Sequence, residues 1–371
     1  MSIEKIAVEA KTKQEESSEK PFQGRELDVI IPTYHPGKTF AFLLRKLWQQ
    51  DFPVHKVILM NTEEALFGSE ANEAVLDMQQ KGMCIEVHHL AKRDFDHAAT
   101  RRLGVSYSEA DAFLCMTDDA IPANSQLTLH LMQALYGGVT EKGSRDRAAG
   151  NEKQASDSES QQPCRIAMAY ARQLPNDTCA EAERFTRAFN YPAVSMVKTA
   201  KDLPRLGIKT YFASNVCCAY DRAAYEKTGG FCKTAIFNED MIFAAAAIRA
   251  GYGIAYAADA EVVHSHNYTA MQQFHRNFDL GVSQAMHPEV FAGLPSEGEG
   301  IRLVKQTAKH LLSCGKFWLL PDLIIKSGCK YMGYRLGKAW KQLPHGLALS
   351  CAMNRDYLKK FYAQEDAQNR K

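Results

Sequence analysis

Short apolar runs alternate with helical patterns over the first third of the chain, and this alternation constrains the fold more than any other feature. The apolar runs "LDVIIP", "HKVILMN", "CIEVHHL" and "AFLCMT" each predict a buried strand. Helical patterns separate them, over 38–50, through "EANEAVLDMQQ", and from about 96 to 109. Strands that alternate with helices favour βαβ units, so the sequence predicts an α/β fold with a mainly parallel central sheet flanked by helices.

Polar residues follow three of the four predicted strands. The three clusters are Thr33-Tyr34-His35, Asn61-Thr62-Glu63 and Thr117-Asp118-Asp119. Ligands of parallel sheets bind outside the carboxyl ends of the strands. We therefore expect the three clusters to converge on one edge of the sheet.

The second half continues with less regular signals. It reads as a strand "RIAMAY", a helical stretch, "TYFASNVCCAYD", a helix "NEDMIFAAAAIRAG" and two short strands, "GIAYAA" and "AEVVHSH". Charged, apolar-poor composition predicts a disordered tail over 1–24 and a flexible loop over 140–163. These boundaries leave one large domain over 25–290 and a helical appendage over 291–371.

Charge and cysteine usage restrict the partners and the compartment. Lys and Arg number 45 against 43 Asp and Glu, which argues against a nucleic-acid partner. Residues 301–371 instead hold fourteen basic and four acidic residues among Trp, Tyr, Leu and Ile. This composition suits an anionic membrane surface, and a helical subdomain packing on the sheet is the alternative. Ten cysteines without CxxC, no signal peptide and no apolar span predict reduced thiols and a cytoplasmic location.

Two acidic or imidazole motifs are candidates for metal binding. Asp118 and Asp119 end an apolar strand in "TDDAIP", where a turn would also favour Asp. Carboxylate oxygens at that place can hold Mg²⁺ or Mn²⁺ together with a diphosphate. His264 and His266 in "VVHSHNY" alternate along a predicted strand and so share a face, which adds imidazole ligands.

A third motif, "NEDM", opens the predicted helix after 238. Asn238 is a capping type, and Glu239 and Asp240 complement the helix dipole at its first turn. A carboxylate at a helix start facing the same edge is also placed to act as a general base. Both interpretations stay open from the residues alone.

Taken in order, these motifs resemble a known family. "DVIIPTYHPG", "FDHAATRRLG", "TDDAIP", "RQLP", "FASNVCCAYDR", "GGF", "NEDMIFAAAAIRAGY" and "VVHSHNYT" look like the family 2 glycosyltransferases of GT-A fold. Within that family they are similar to bacterial rhamnosyltransferases of polysaccharide assembly. The resemblance covers about 27–288 and implies an inverting, metal-dependent glycosyltransferase.

The resemblance also implies residue roles. A donor nucleotide pocket would be formed by Thr33, Tyr34, Asn61, Glu63, Asp96, His97 and Arg101. "TDDA" matches the DxD region with Thr117 in the first place and Asp118 in the middle, so Asp119 is the expected metal ligand with His264. Asp240 would be the base with Glu239 beside it. The remaining positions, on the acceptor side or near the donor, are Ser214, Asn215, Gly230, His266 and Arg276.

The reaction that the resemblance implies is transfer of L-rhamnose from dTDP-L-rhamnose. The acceptor would be a lipid-linked or growing cell-surface polysaccharide, at the inner face of the plasma membrane. A UDP-hexose or UDP-galactofuranose donor is an alternative, and a catalytically inactive membrane-bound scaffold is another. A P-loop GxxxxGK[ST], a GxGxxG after the first strand and a GxSxG are all missing from the sequence, which disfavours kinases, dinucleotide oxidoreductases and common hydrolases.

Overall fold

Nine strands form one sheet in the computed structural model, which describes residues 22–137, 164–294 and 297–369. The strands are β1 Leu27–Tyr34, β2 Lys56–Thr62, β3 Ile85–Leu90, β4 Ala112–Met116, β5 Ile121–Pro122, β6 Ile166–Leu174, β7 Met196–Lys198, β8 Cys217–Asp221 and β9 Gly253–Val263. Their order is β3-β2-β1-β4-β8-β6-β9-β5, and β7 pairs with β9 off this path.

The first four strands pair in parallel, as the alternating pattern predicts. β1 lies between β2 and β4, and β2 pairs with β3. β8 then runs antiparallel to both β4 and β6, while β6 and β9 are parallel. The sheet is therefore mixed, with its longest parallel run at the β3–β4 side, and the predicted α/β class is confirmed.

Helices cover both faces of the sheet and continue beyond it. They are α1 Thr39–Trp48, α2 Gly68–Gln80, α3 His97–Ser106, α4 Leu127–Tyr136, α5 Glu181–Asn190, α6 Leu203–Leu206, α7 Arg222–Lys227, α8 Glu239–Arg249, α9 Ala270–Met286, α10 Pro288–Phe291, α11 Glu297–Ser313, α12 Leu320–Lys338, α13 His345–Cys351 and α14 Arg355–Asn369.

Two apolar layers explain why the strand sequences are continuously apolar. In β1, Val29 and Ile31 belong to one buried cluster with α1 and α2, while Ile30 belongs to the cluster on the other face. Alternate residues of a strand point to opposite faces, so a sheet covered on both sides needs apolar residues at every position. "LDVIIP" meets that requirement except at Asp28, which is buried and contacts the imidazole of His55 at 2.8 Å.

The prediction of two short strands after position 252 is wrong, since the structure has one continuous strand there. β9 spans Gly253–Val263 and pairs with β5, β6 and β7. A register shift against β6 falls between Ala171 and Arg172, opposite the polar break that made the sequence look like two strands. A bulge keeps a strand continuous while it bends, and the sequence pattern does not reveal it.

The C-terminal helices pack on α9 through glycines. Gly333 and Gly337 on α12 face the backbone of α9 at Phe274 and Phe278, and Gly281 on α9 faces α12 in return. Side chains from α9, α13 and α14 and the turn after α12 close a separate apolar cluster around Trp340, which is buried. The predicted helical C-terminal region is therefore present and is anchored to the rest of the molecule. Within the described ranges, none of the helices is both long and apolar enough to cross a membrane.

Two predicted disordered segments lie largely outside the described residues. The loop over 140–163 lies wholly outside them, as does the tail except for 22–24. Phe22 is buried and packs edge-on against Phe52, with ring centroids 5.8 Å apart, so Phe22 belongs to the folded core although it was predicted to lie in the tail.

Candidate active site

An open cavity of about 410 Å³ lies where β1 and β4 end, beside the start of α8. It brings together residues that are far apart in the sequence. Those that the sequence predicted are Thr33, Tyr34, His97, Arg101, Thr117, Asp118, Asp119, Ser214, Asn215, Glu239, Asp240, His264, His266 and Arg276. The cavity thus unites the three positions on which the metal and base hypothesis depends: Asp119, Asp240 and His264.

One carboxylate and two imidazoles form a tight cluster in this cavity. Asp119 lies 3.5 Å from His264 Nε2 and 3.1 Å from His266 Nε2. One ligand atom from each of the three residues lies within 4.8 Å of the others. Burial would raise the pKa of Asp119, but the two imidazoles hold it well below its usual range. Burial in turn lowers the pKa of His264, which favours the neutral imidazole that a metal binds.

His266, which was predicted to lie among the donor-binding residues, belongs to this cluster. The chain leaves β9 at Val263, so both histidines lie just beyond the strand and do not alternate along it as predicted. The loop nevertheless turns both Nε2 atoms together, 3.1 Å apart. His266 therefore joins Asp119 and His264 as a candidate ligand.

Gln173 orients His264 from behind, and its role was not predicted, although it lies in the "RQLP" motif. The Gln173 amide Nε2 donates to Tyr191 and to Ser214, at 2.7 and 3.0 Å. Its Oε1 therefore accepts, from the Arg187 guanidinium and from His264 Nδ1 at 3.1 Å. A proton on Nδ1 leaves Nε2 of the neutral imidazole available as a metal ligand beside Asp119.

Glu239 is tied into a buried ion pair. The guanidinium of Arg101 lies 3.0 Å from Glu239 Oε1, and the side-chain amide of Asn215 donates to the same oxygen at 2.9 Å. Burial would raise the pKa of Glu239, but Arg101 and then His97 lower it overall. Glu239 is thus held ionised, and its Oε1 is engaged by both Arg101 and Asn215.

Asp240 is the carboxylate that this network leaves facing the cavity. The backbone N–H groups of Asn215 and Met241 donate to it at 3.0 and 2.7 Å. Burial, and then the neighbouring charge of Glu239, raise the pKa of Asp240 to about 7. A carboxylate with such a pKa can accept a proton near neutral pH. Similarly, burial and Asp119 raise the pKa of Asp118 to about 6.

Aromatic rings and a guanidinium close the opposite wall. Arg276 on α9 lies over the Phe237 ring at 4.6 Å and over the Tyr268 ring at 5.6 Å. Phe95, Asn238 and Pro32 also line the cavity. These aromatic residues were not predicted, because a lone Phe or Tyr in a loop carries no periodic signal.

Backbone strain marks the edges of the site. Among the described residues, three that are not glycine have positive φ: His35 at 51°, Glu63 at 62° and Asn238 at 65°. They follow β1, follow β2 and precede α8, respectively. Asn238 was a candidate cap, but its side chain makes no capping hydrogen bond in this left-handed conformation. Such conformations concentrate at functional sites.

Four predicted residues lie outside the cavity. Asn61 is buried behind it and accepts from Thr33 at 3.2 Å, and the carboxylate of Glu63 accepts from the backbone N–H of Lys92. Asp96 caps α3 through the N–H groups of Ala98 and Ala99, both at 2.8 Å. Gly230 has a φ of 70°, and a Cβ there would overlap the Tyr225 ring. Local structure explains Asp96 and Gly230 without a ligand.

A scan of protein-family models matches residues 28–229 to "Glycosyl transferase family 2". The chain belongs to glycosyl transferase family 2. The predicted resemblance and the assignment as a glycosyltransferase are therefore confirmed.

Two curated members of the family are similar over most of the chain. The O-antigen chain rhamnosyltransferase RfbN of Salmonella typhimurium is 34% identical over 336 residues, which is 90% of this chain and 96% of that protein. The O-antigen chain rhamnosyltransferase WbaN of Salmonella anatum is 36% identical over 272 residues, covering 72% and 77%. A solved structure, the mannosyltransferase PcManGT from Pyrobaculum calidifontis in complex with GDP-Man and Mn²⁺, is 14% identical with a TM-score of 0.49, covering 93% of this chain and 89% of its own.

Proposed function

We propose that this glycosyltransferase is an inverting, metal-dependent rhamnosyltransferase that uses dTDP-L-rhamnose and extends a lipid-linked or growing cell-surface polysaccharide of the O-antigen type. The observation that carries the catalytic part is the cavity that holds Asp119, His264 and His266 together with Asp240. The rhamnosyl part is supported by similarity to RfbN and WbaN, both named O-antigen chain rhamnosyltransferases.

The donor atoms of the cluster fit a divalent cation. One carboxylate oxygen and two imidazole nitrogens suit Mn²⁺ better than Mg²⁺, which prefers oxygen ligands alone. When bound, the cation would neutralise charge that develops on the leaving diphosphate. Gln173 would keep His264 Nε2 unprotonated for that purpose, and the guanidiniums of Arg101 and Arg276 add positive charge to the same cavity.

Asp240 has the properties of the base that activates the acceptor. A sugar hydroxyl must lose its proton as it attacks the anomeric carbon, and a carboxylate with a pKa of about 7 can accept it. Glu239 Oε1 is engaged by Arg101 and Asn215, so we assign the base to the neighbouring Asp240. One displacement with inversion needs only this base, because retention through a covalent intermediate needs a separate nucleophile.

A donor screen tests the proposal. The purified chain with Mn²⁺ and a lipid extract is incubated in turn with dTDP-L-rhamnose, a UDP-hexose and UDP-galactofuranose, and the products are read by mass spectrometry. We expect transfer from dTDP-L-rhamnose and not from the two UDP-sugars. Chelation of the metal should abolish this transfer, and added Mn²⁺ should restore it. Transfer from a UDP-sugar and not from dTDP-L-rhamnose would show that the proposed donor is wrong. Binding to vesicles without nucleotide and without any transfer would favour the scaffold alternative.

Replacing Asp240 tests the base. We expect Asp240→Asn to lower kcat by about 10²-fold or more while Mn²⁺ and nucleotide still bind, because positioned acid–base catalysis contributes about 10² to 10⁴. Calorimetry with dTDP and Mn²⁺ checks binding. The matched control is Asp279→Asn, on a buried aspartate that does not line the cavity. Unchanged kcat in Asp240→Asn would exclude the assignment.

We also propose peripheral attachment to the inner face of the plasma membrane. The turn between α11 and α12 exposes two adjacent aromatics, Phe317 and Trp318, which are 64% and 63% exposed. Ile324 and Ile325 on the following turn of α12 are 67% and 59% exposed. Together with the basic excess of 301–371, this surface fits the boundary between anionic headgroups and acyl chains.

A further inference from the structure

A second cluster of metal-ligating side chains lies outside the catalytic cavity. Its members are Glu181, the first residue of α5, together with His310 near the end of α11 and Cys314 just after it. His310 and Cys314 are four residues apart, so one helical turn places both side chains on the same face. Neither the family resemblance nor the proposed reaction uses any of the three.

The geometry of the cluster is close to that of a tetrahedral metal site. His310 Nε2 lies 2.9 Å from Glu181 Oε1, and Cys314 Sγ lies 3.8 Å from the same nitrogen. One ligand atom from each residue lies within 4.8 Å of the other two. Bond lengths of about 2.0–2.3 Å to oxygen, nitrogen and sulfur put ligand atoms of a tetrahedral zinc site roughly 3.3–3.7 Å apart. Small side-chain adjustments would therefore admit an ion.

We propose that Glu181, His310 and Cys314 bind a zinc-class divalent cation, with water as the fourth ligand. Cys314 is exposed, and the side chains of Glu181 and His310 are 21% and 29% exposed, so an ion and its water have access. A thiolate, an imidazole and a carboxylate are the ligand types that zinc takes.

Neighbouring side chains support the ligands. The Phe185 ring stacks on the His310 imidazole with centroids 4.7 Å apart, which restricts its rotation. The Lys316 ammonium lies 2.8 Å from Glu181 Oε2 and orients the carboxylate so that Oε1 faces His310. The Lys316 ammonium also neutralises part of the negative charge of Glu181 that would attract the ion. We expect this charge effect to outweigh the orienting effect, so removal of Lys316 should tighten metal binding.

The position of the site gives it a structural consequence. It joins α11 to α5, and α5 carries Arg187, whose guanidinium contacts Gln173 behind His264. A bound ion would fasten the C-terminal helical region to the element that supports the catalytic cluster. It would thereby stabilise the folded protein, because an ion that binds only the folded state adds to its stability.

Cobalt gives a signal that separates this site from the catalytic one. Co²⁺ is titrated into the full chain under reducing conditions, and absorption is followed in the near ultraviolet, where cobalt–thiolate charge transfer absorbs. The catalytic cluster of Asp119, His264 and His266 contains no sulfur, so it cannot produce this band. We expect the amplitude of the band at saturation to correspond to one cobalt–thiolate site per chain, and the band to disappear on addition of Zn²⁺.

Variants decide the ligands. Cys314→Ser should abolish the band, while Cys84→Ser, on another exposed cysteine, and Asp119→Asn should keep it. Glu181→Gln should weaken Co²⁺ binding and Lys316→Met should strengthen it. Zn²⁺ should raise the melting temperature of the native chain but not of Cys314→Ser, with folding of each variant checked by circular dichroism. No band in the native chain, or an equal band in Cys314→Ser, would overturn the proposal and leave only a His–Glu hydrogen bond.

Discussion

Three carboxylates of the catalytic cavity hold protons differently, because their neighbours differ. Burial raises the pKa of each, but imidazoles reverse this for Asp119, and Arg101 with His97 reverses it for Glu239. Asp240 has no such cation in contact, and the charge of Glu239 raises its pKa further, to about 7. Asp119 and Glu239 are therefore held ionised, and the raised pKa of Asp240 allows it to exchange a proton near neutral pH.

The pH profile should reveal the titration of Asp240. As a base it acts in its deprotonated form, so kcat/KM should rise about tenfold per pH unit below 7 and level off above. The folded pKa is raised above the ordinary value of 3.8, so the stability that protonated Asp240 contributes is lost as pH rises from about 4 to 7. Rate and stability should therefore change in opposite directions over this range.

Asp279 provides the control for this profile. Burial raises its pKa to about 7 as well, but it accepts from the backbone of Met353 and Asn354, away from the cavity. Steady-state rates of Asp279→Asn should keep the native inflection. If the inflection moved in Asp279→Asn and not in Asp240→Asn, the base assignment would be wrong.

Gln173 should act on metal affinity without touching the metal. Gln173→Leu removes the acceptor of the His264 Nδ1 proton, so the imidazole loses its fixed tautomer and orientation. We expect Mn²⁺ affinity to fall by about 10- to 100-fold, the usual cost of losing such a partner. Calorimetric Mn²⁺ titration measures this.

The conservative variant separates positioning from packing. Gln173→Glu keeps an accepting oxygen beside His264 and Arg187, so it should recover most of the Mn²⁺ affinity. Equal weakening in both variants would indicate a packing effect, and no weakening in Gln173→Leu would show that His264 is oriented by other contacts.

At the scale of elements, α9 and α12 depend on glycine for their close approach. Gly333 and Gly337 are one helical turn apart on α12, and a Cβ at either would overlap the carbonyl of Phe274 or Phe278. Gly281 meets the backbone of α12 from the other side. Helices this close need residues without a side chain where they touch. This glycine contact attaches the C-terminal region to α9.

Gly337→Ala should therefore destabilise the protein. The added methyl group forces α12 away from α9, and overpacking of this kind costs about 1–3 kcal/mol. Gly328→Ala on the same helix is the matched control, since a Cβ there meets open space and should stabilise by up to about 1 kcal/mol. Urea denaturation measures both, and equal effects would contradict the glycine contact.

The whole molecule combines a buried sheet with a C-terminal region that exposes large apolar side chains. Trp340 and Leu358 close a core around Phe278, so removing this region would uncover the apolar side of α9. The exposed aromatics at the turn before α12 can instead be changed singly without opening that core. Point substitutions are therefore a sharper probe of membrane attachment than truncation.

Membrane attachment should depend on these aromatics and on charge. We expect the native chain to cosediment with vesicles of anionic lipid and to release at high salt, since screening weakens the electrostatic part. The double variant Phe317→Ser with Trp318→Ser should lose most binding, while Leu76→Ser, 56% exposed on α2, should not. Binding that the double variant retains in full would exclude this surface.

Much of the fold could be predicted because its signals are local. Apolar runs, strand-to-helix alternation and the acidic ends of β4 and the start of α8 are all readable in sequence. What the sequence did not show depends on partners that are distant in the chain. β9 looked like two strands because its bulge depends on β6, and the contact of His266 with Asp119 forms only after folding. Gln173 was missed for the same reason.

The sequence alone determined the α/β class, the family and the residue types that can bind a cation or accept a proton, because these depend on pattern and side-chain chemistry. Only the tertiary structure decided which carboxylate is free. Arg101 from α3 pairs with Glu239 and leaves Asp240 facing the cavity, and burial then sets the pKa of each. Proton affinity depends on charges within a few ångströms, and chain folding alone determines which charges those are.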